Sequence, residues 1–291
     1  MPLPASVPAW AWALLAGTVL AGAVVLLQGR LLFGRTWRIR RTDPGPAGAR
    51  RHSGAQWLQR PGGVRLQGWL TVPVGGAAPR RLLLWLGGRN EHVAWTPDLA
   101  GWLPDDCALL AFNYRGLGRS TGWPSEAACV ADAQACADWG LAQLGLPPTA
   151  LHLAGRSLGT GVAMQLAARL SDAGQPPAGV VLITPLKSLR AVLRRHPLFA
   201  PLTPWLRSPL DSMAAARALR SNVLVLLAEH DRQVPHAHSL ALVDALRLAG
   251  ARVTVHRLPG TNHRSLARTP AAMKCLGGWL AAPAPALASR A

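Results

Sequence analysis

Lysine is nearly missing from this 291-residue chain: Lys187 and Lys274 are the only two. Acidic residues are also few. Lys and Arg total 31 against 13 Asp and Glu, so the formal net charge of +18 is carried almost entirely by arginine. A charge of that size invites a nucleic-acid function, but its distribution argues against one. Residues 30–51 hold Arg30, Arg35, Arg38, Arg40, Arg41, Arg50 and Arg51 against Asp43 alone. The remaining excess is scattered, without a Lys/Arg block, a zinc-finger pattern or an RNA-binding aromatic motif, and no nucleic-acid partner is expected.

Cysteine is scarce too. Cys107, Cys129, Cys136 and Cys275 form no CxxC pair and no zinc spacing, which argues against a disulfide framework and leaves buried free thiols. Glycine (29) and proline (25) are plentiful but follow no G-X-Y period, so the chain is not collagen-like. No internal repeat is found. With 50% hydrophobic residues and a mean hydropathy of +0.18, the chain can fill a sizeable core.

Charged side chains are absent from Met1 to Gly29, and from Ala9 to Leu27 the run is apolar apart from Thr18. As a helix that stretch spans roughly 28 Å, near the hydrocarbon thickness of a bilayer. Trp10 and Trp12 stand at one end, as interfacial aromatics do, and the arginines begin at the other. A cleaved signal peptide would need a positive n-region, and the cleavage-like triplet Ala21-Gly-Ala23 lies inside the apolar run. Residues 1–29 therefore read as a single-pass membrane anchor. The positive-inside rule places the rest of the chain on the cytoplasmic side, with a periplasmic or secreted domain as the alternative.

Residues 30–54 read as a basic Gly/Pro/Arg linker, 55–282 as one folded domain and 283–291 as a tail. Ala55–Arg60 and Val64–Val72 flank Pro61-Gly-Gly63 as a β-hairpin. Short apolar runs at 81–86, 107–113, 151–154, 179–183, 222–227 and 252–256 read as strands. Helical patterns at 125–144, 158–172, 236–249 and 265–281 lie between or after them, with Ser125 as an N-cap. Strands alternating with helices imply a mostly parallel sheet covered on both faces. Residues 186–218, with Pro197, Pro201, Pro204 and Pro209, interrupt the alternation as a short cap. Its apolar side chains (Leu186, Leu189, Val192, Leu193, Leu198, Phe199) read as one face packed on the domain. The alternative is a membrane-facing entrance for acyl chains or anionic lipids.

The chemistry centres on Gly155-Arg-Ser157-Leu-Gly159, a G-x-S-x-G placed after a strand and before a helix. Such a turn exposes the serine hydroxyl, and the helix N-terminus offers amides to an oxyanion. A nucleophilic serine needs a base, and the base needs an orienting carboxylate. Asp231 follows the 222–227 strand and His263 follows the next, each in a loop beyond a strand's C-terminal end, where open α/β sheets place their sites. Glu229 competes for the role of the acid. His230, His236 and His238 flank Asp231 but lack a fixed metal-ligand spacing, and His152 reads as a structural residue of a core strand. The loop Leu86-Gly-Gly88 should supply the second oxyanion donor, with the amides of Gly88 and Leu158 expected in that role.

Together these motifs resemble the α/β-hydrolase superfamily, in its branch of small serine hydrolases similar to serine aminopeptidase-like and dienelactone-hydrolase-like domains. Asn113-Tyr-Arg-Gly-Leu-Gly-Arg-Ser-Thr-Gly122 resembles the family's D-Y-R-G-x-G-x-S-x-G turn. Pro124-Ser-Glu126 with Asp132 resembles the helix start after it, and Leu210-Asp-Ser212 the F-D-S element before the acid strand. Two positions depart from the pattern: Leu86 stands where many relatives have His, and Asn113 where Asp is usual. The resemblance implies an α/β-hydrolase fold and cleavage of a carboxylic ester, possible also for a thioester or amide, through a Ser157 acyl-enzyme. His263 would be the base and Asp231 the orienting acid. No cofactor or metal is implied, and the substrate would be a small-molecule ester or a lipid-like acyl compound. The rival is a catalytically silent member serving as a membrane scaffold.

Overall fold

In chain order the computed structural model, which describes residues 8–34, 51–74, 78–197 and 199–282, begins with helix α1 (Ala9–Phe33). Then follow β1 (Arg51–Arg60), β2 (Val64–Pro73), β3 (Arg81–Leu86), α2 (Thr96–Leu99), β4 (Cys107–Phe112) and α3 (Glu126–Leu144). Next come β5 (Leu151–Arg156), α4 (Leu158–Asp172), β6 (Gly179–Ile183), α5 (Leu189–Leu193) and α6 (Ser212–Ala216). The chain continues through β7 (Asn222–His230), α7 (His236–Leu248), β8 (Arg252–Asn262) and α8 (Pro270–Ala281).

The strands form one eight-stranded sheet in the order β1-β2-β4-β3-β5-β6-β7-β8. β1 and β2 pair antiparallel as the expected hairpin, β2 meets β4 antiparallel, and every later pairing is parallel. A sheet covered on both faces needs apolar side chains at every strand position rather than at alternate ones. β3 shows this: Leu82, Leu84 and Leu86 enter one core with α3, α4 and α7, while Leu83 and Trp85 enter the other with α8. Helix boundaries follow local chemistry. Ser125 Oγ caps α3 by accepting from the Ala128 amide, and Gly145, in the left-handed region at φ 62°, ends it.

The expected linker boundary shifts. Arg51 opens β1 because its guanidinium donates to the carbonyls of Leu103, Pro104 and Cys107, and Ser53 Oγ accepts from Thr71 Oγ1. Arg35, Arg38, Arg40, Arg41 and Arg50 lie outside the described residues, as do Leu198 of the cap and the expected tail. Within the cap Leu186 and Leu189 are buried and Leu193 packs on the same core, while Phe199 is exposed. The thiols of Cys107, Cys129 and Cys136 are free and buried, and Cys275 is free and half-buried. Burial pushes Cys107 up to about 12.

The sequence expectation of a membrane span is not met. Among the described residues, no helix is long and apolar enough to cross a membrane. The end of α1 is part of the domain instead. Phe33 is fully buried with its ring edge-on to Tyr114, and the Asn90 amide donates to the Phe33 carbonyl. Gln28 Oε1 accepts from the Arg207 amide, and the Arg30 guanidinium lies 3.5 Å from the centre of the Trp123 ring. Trp10, Trp12, Leu14, Leu15 and Val19 of the same helix are exposed.

His152, on β5, stacks edge-on to Trp279 of α8, and burial lowers its pKa from 6.5 to about 4. Protonation therefore favours the unfolded chain. Above pH 6.5 this residue contributes nothing to the pH dependence. As pH falls from 6.5 towards 4, stability of up to about 3 kcal/mol is lost. In thermal melts across that window His152→Phe, which retains a ring against Trp279 and cannot titrate, is expected to flatten the fall in Tm. An unchanged slope would show that other groups carry the acid sensitivity.

Candidate active site

Ser157 occupies the turn between β5 and α4 with φ 50° and ψ −117°, a backbone conformation rare for any residue but glycine. The neighbouring glycines make that turn possible. A Cβ on Gly155 would run into the backbone of Gly159 and Thr160, and one on Gly159 into the carbonyls of Leu86 and Gly87. The Ser157 amide is bound to the Ile183 carbonyl at 2.9 Å. Leu158 then opens α4, so its N–H is among the helix N-terminal amides that have no intrahelical partner.

His263 and Asp231 arrive from adjacent parallel strands. β7 and β8 pair with an offset of 30 residues at Asn222–Arg252. An irregularity between Ala228 and His230 widens the offset to 32 at His230–Asn262. Asp231 and His263 are separated by the same 32 residues, so they follow that last pair side by side. His263 Nδ1 donates to Asp231 Oδ2 at 2.8 Å, and Ser157 Oγ donates to His263 Nε2 at 2.8 Å. The His263 side chain is 7% exposed.

Asp231 is held from its other side as well. Its Oδ1 accepts from the amides of Gln233 (2.9 Å) and Val234 (2.8 Å). Burial alone would raise this carboxyl. The His263 hydrogen bond and the two amides outweigh it and keep the group below its ordinary value. Glu229 points elsewhere: its Oε2 accepts from the Gly260 amide at 2.8 Å and lies 3.4 Å from His230 Nε2. The structure therefore brings Asp231, and not Glu229, to His263. His236 is bonded to the Ala228 carbonyl and His238 is buried in α7. Among the described residues, no group of three or more His, Cys, Asp or Glu could hold a metal ion.

Gly88 departs from expectation. Its amide, anticipated as an oxyanion donor, donates to Glu91 Oε2 at 2.7 Å. Glu91 is a buried carboxylate that also accepts from Arg156 Nη1 (2.7 Å), Trp95 Nε1 (3.1 Å) and Trp85 Nε1 (3.3 Å). A buried carboxylate needs such donors, and the Gly88 amide is the backbone group within reach. Glu91 and Arg156 were not singled out from sequence. The available signal was an acid three residues after a glycine pair, between two tryptophans. Asn113, where Asp is usual, organises a turn by accepting from the Val93 amide and bonding His92 and Gln67. Asp132 is bridged by Arg60 and Arg115, away from the triad.

A family model described as serine aminopeptidase, S33, matches residues 77–213, a span that contains Gly88 and Ser157. An uncharacterised protein of Mycobacterium tuberculosis is 32% identical over 202 residues, covering 69% of each chain. The lysophosphatidylserine lipase of Danio rerio is 30% identical over 200 residues, covering 61% of this chain and 51% of the lipase. Among solved structures, an alpha-beta hydrolase from Vibrio vulnificus superposes with a TM-score of 0.67 at 21% identity, covering 88% of this chain and 90% of that one. Carboxyl esterase 2 of Tuber melanosporum gives 0.65 at 18% identity, covering 90% and 96%. The strand order, the strained serine turn and these likenesses agree, and the chain belongs to the α/β-hydrolase superfamily.

Proposed function

We propose that this protein is a serine hydrolase that cleaves carboxylic esters of lipid-like acyl compounds through a Ser157 acyl-enzyme. The observation that carries the reading is the unbroken chain of hydrogen bonds Ser157–His263–Asp231, each link 2.8 Å, on a strained turn at a helix N-terminus. Ser157 Oγ attacks the acyl carbon while His263 Nε2 takes its proton. The resulting oxyanion is met by the Leu158 amide and, once Glu91 releases it, by that of Gly88. His263 then protonates the departing alcohol. A water activated by the same imidazole hydrolyses the acyl-enzyme, and Asp231 steadies the imidazolium in both halves. A lipid-like substrate is supported by the likeness to a lysophosphatidylserine lipase. Attachment to a membrane is supported by the uncharged run of residues 1–29 and by the exposed Trp10, Trp12, Leu14, Leu15 and Val19 on α1.

Ser157→Ala is expected to abolish labelling by a fluorophosphonate probe, in which Oγ bonds phosphorus and fluoride leaves. It should also lower turnover of p-nitrophenyl esters by about 10³-fold or more without changing the melting temperature. Persistent labelling would sink the nucleophile assignment. Asp231→Asn should reduce turnover by about 10²- to 10⁴-fold, because the imidazole loses both its tautomer control and the partner of its positive charge. Glu229→Gln should change it little, and the reverse ranking would transfer the acid role to Glu229. Full-length protein should co-sediment with lipid vesicles, whereas a chain starting near residue 45 should not. Full-length chain that stays in the supernatant would refute attachment through α1.

A further inference from the structure

We infer that Arg156 is a positioning residue that acts through Glu91 on the Gly88 amide, so that this ion pair controls the second oxyanion donor. The inference rests on the serine-hydrolase reading. Glu91 Oε2 is shared between the Gly88 amide and Arg156 Nη1, each at 2.7 Å, while Oε1 accepts from the indoles of Trp85 and Trp95. The Glu91 side chain is 4% exposed and that of Arg156 is 17% exposed. Arg156 Nη2 continues to the carbonyls of Arg264 (3.2 Å) and His263 (3.5 Å). One guanidinium therefore links the oxyanion loop, the nucleophile turn and the loop of the base.

The arrangement has a consequence for the reaction. A carboxylate beside the position where negative charge develops opposes that charge, unless a cation neutralises it in the same buried space. It also competes with the oxyanion for the Gly88 N–H. With four donors Glu91 can release one and stay satisfied, because Arg156 and both indoles remain. Without Arg156 the carboxylate loses its counter-charge and holds the amide more firmly. A pair that only braced the fold would affect melting and leave the transition state alone.

The test compares Arg156→Met, Arg156→Lys, Glu91→Gln and the double variant Arg156→Met/Glu91→Gln in the full chain. The readouts are melting temperature, kcat and KM on a p-nitrophenyl ester, and the rate of phosphonylation by a fluorophosphonate. Arg156→Met is expected to lower kcat and the phosphonylation rate by about 10²-fold, the scale of losing one oxyanion donor. KM should stay within about threefold, as for an interaction made in the transition state. Arg156→Lys, which keeps the charge, should stay within about tenfold of wild type. Adding Glu91→Gln to Arg156→Met should recover about tenfold, because the neutral amide places no charge beside the oxyanion. The indole N–H resonances of Trp85 and Trp95 should move in Glu91→Gln and in Arg156→Met. The inference is overturned if Arg156→Met is phosphonylated at the wild-type rate, if the double variant is no faster than Arg156→Met, or if the two indole resonances stay in place. Wild type that is never labelled would instead overturn the hydrolase reading, and the resonances would still report on the pair.

Discussion

The site depends on keeping a serine at φ 50°, where an L-residue is strained by roughly 1–3 kcal/mol. Nothing in Ser157 itself favours that conformation, so the surroundings must impose it. The Ile183 carbonyl holds the Ser157 amide, and the Ser157 carbonyl accepts from both the amide and the hydroxyl of Thr160. Gly159 lets α4 come down onto the carbonyls at the end of β3, a contact that no side chain there would allow. The apolar interior strands β3, β5 and β6 are thus more than a core. The parallel pairing of β3 and β5 fixes the distance between the Gly87-Gly88 loop and the Ser157 turn, because both leave neighbouring strands at the same end of the sheet.

A second constraint lies at β7 and β8. Two parallel strands in constant register would set Asp231 opposite Thr261 and leave His263 beyond reach of its partner. The irregularity around Pro259 and Gly260, with Gly260 at φ 67°, adds the two residues that align His263 with Asp231. Glu229 takes part in this bulge by accepting from the Gly260 amide. Its acid shapes the loop that presents the base, a different role from orienting the imidazole.

Most of the sheet was legible because strands buried on both faces are written as continuous apolar runs, as in Leu82–Leu86 and Val223–Leu227. The helices following Ser125 and Pro235 were legible from their end signals. β1 starts earlier than its pattern suggests, since Arg51-His-Ser-Gly54 is polar and its pairing with β2 is supported by the Ser53–Thr71 hydrogen bond and by the three carbonyls that hold Arg51. The three candidate residues Ser157, Asp231 and His263 can be picked out by their positions after strands. The bulge could not, because a register shift depends on both strands together. Glu91 escaped for a related reason: an acid in a loop reads as solvated, and its burial follows from indoles and a guanidinium that converge only in three dimensions. The length, hydropathy and flanking residues of the α1 stretch say nothing of Phe33 and Gln28 docking at its end.

Arginine accompanies each element of the site: Arg89 follows Gly88, Arg156 precedes Ser157, Arg232 follows Asp231 and Arg264 follows His263. Arg89, Arg232 and Arg264 are exposed, so water satisfies much of their charge. Arg156 alone is turned inward, and an inward guanidinium requires a carboxylate. In this topology the acid within reach is Glu91, whose Oε2 accepts from both Arg156 Nη1 and the Gly88 amide, the group proposed as an oxyanion donor. Removing one member of a buried pair costs about 3–5 kcal/mol, far more than removing both. Glu91 and Arg156 are therefore held together by the fold's electrostatics, and the Gly88 amide comes under the pair's influence as a result.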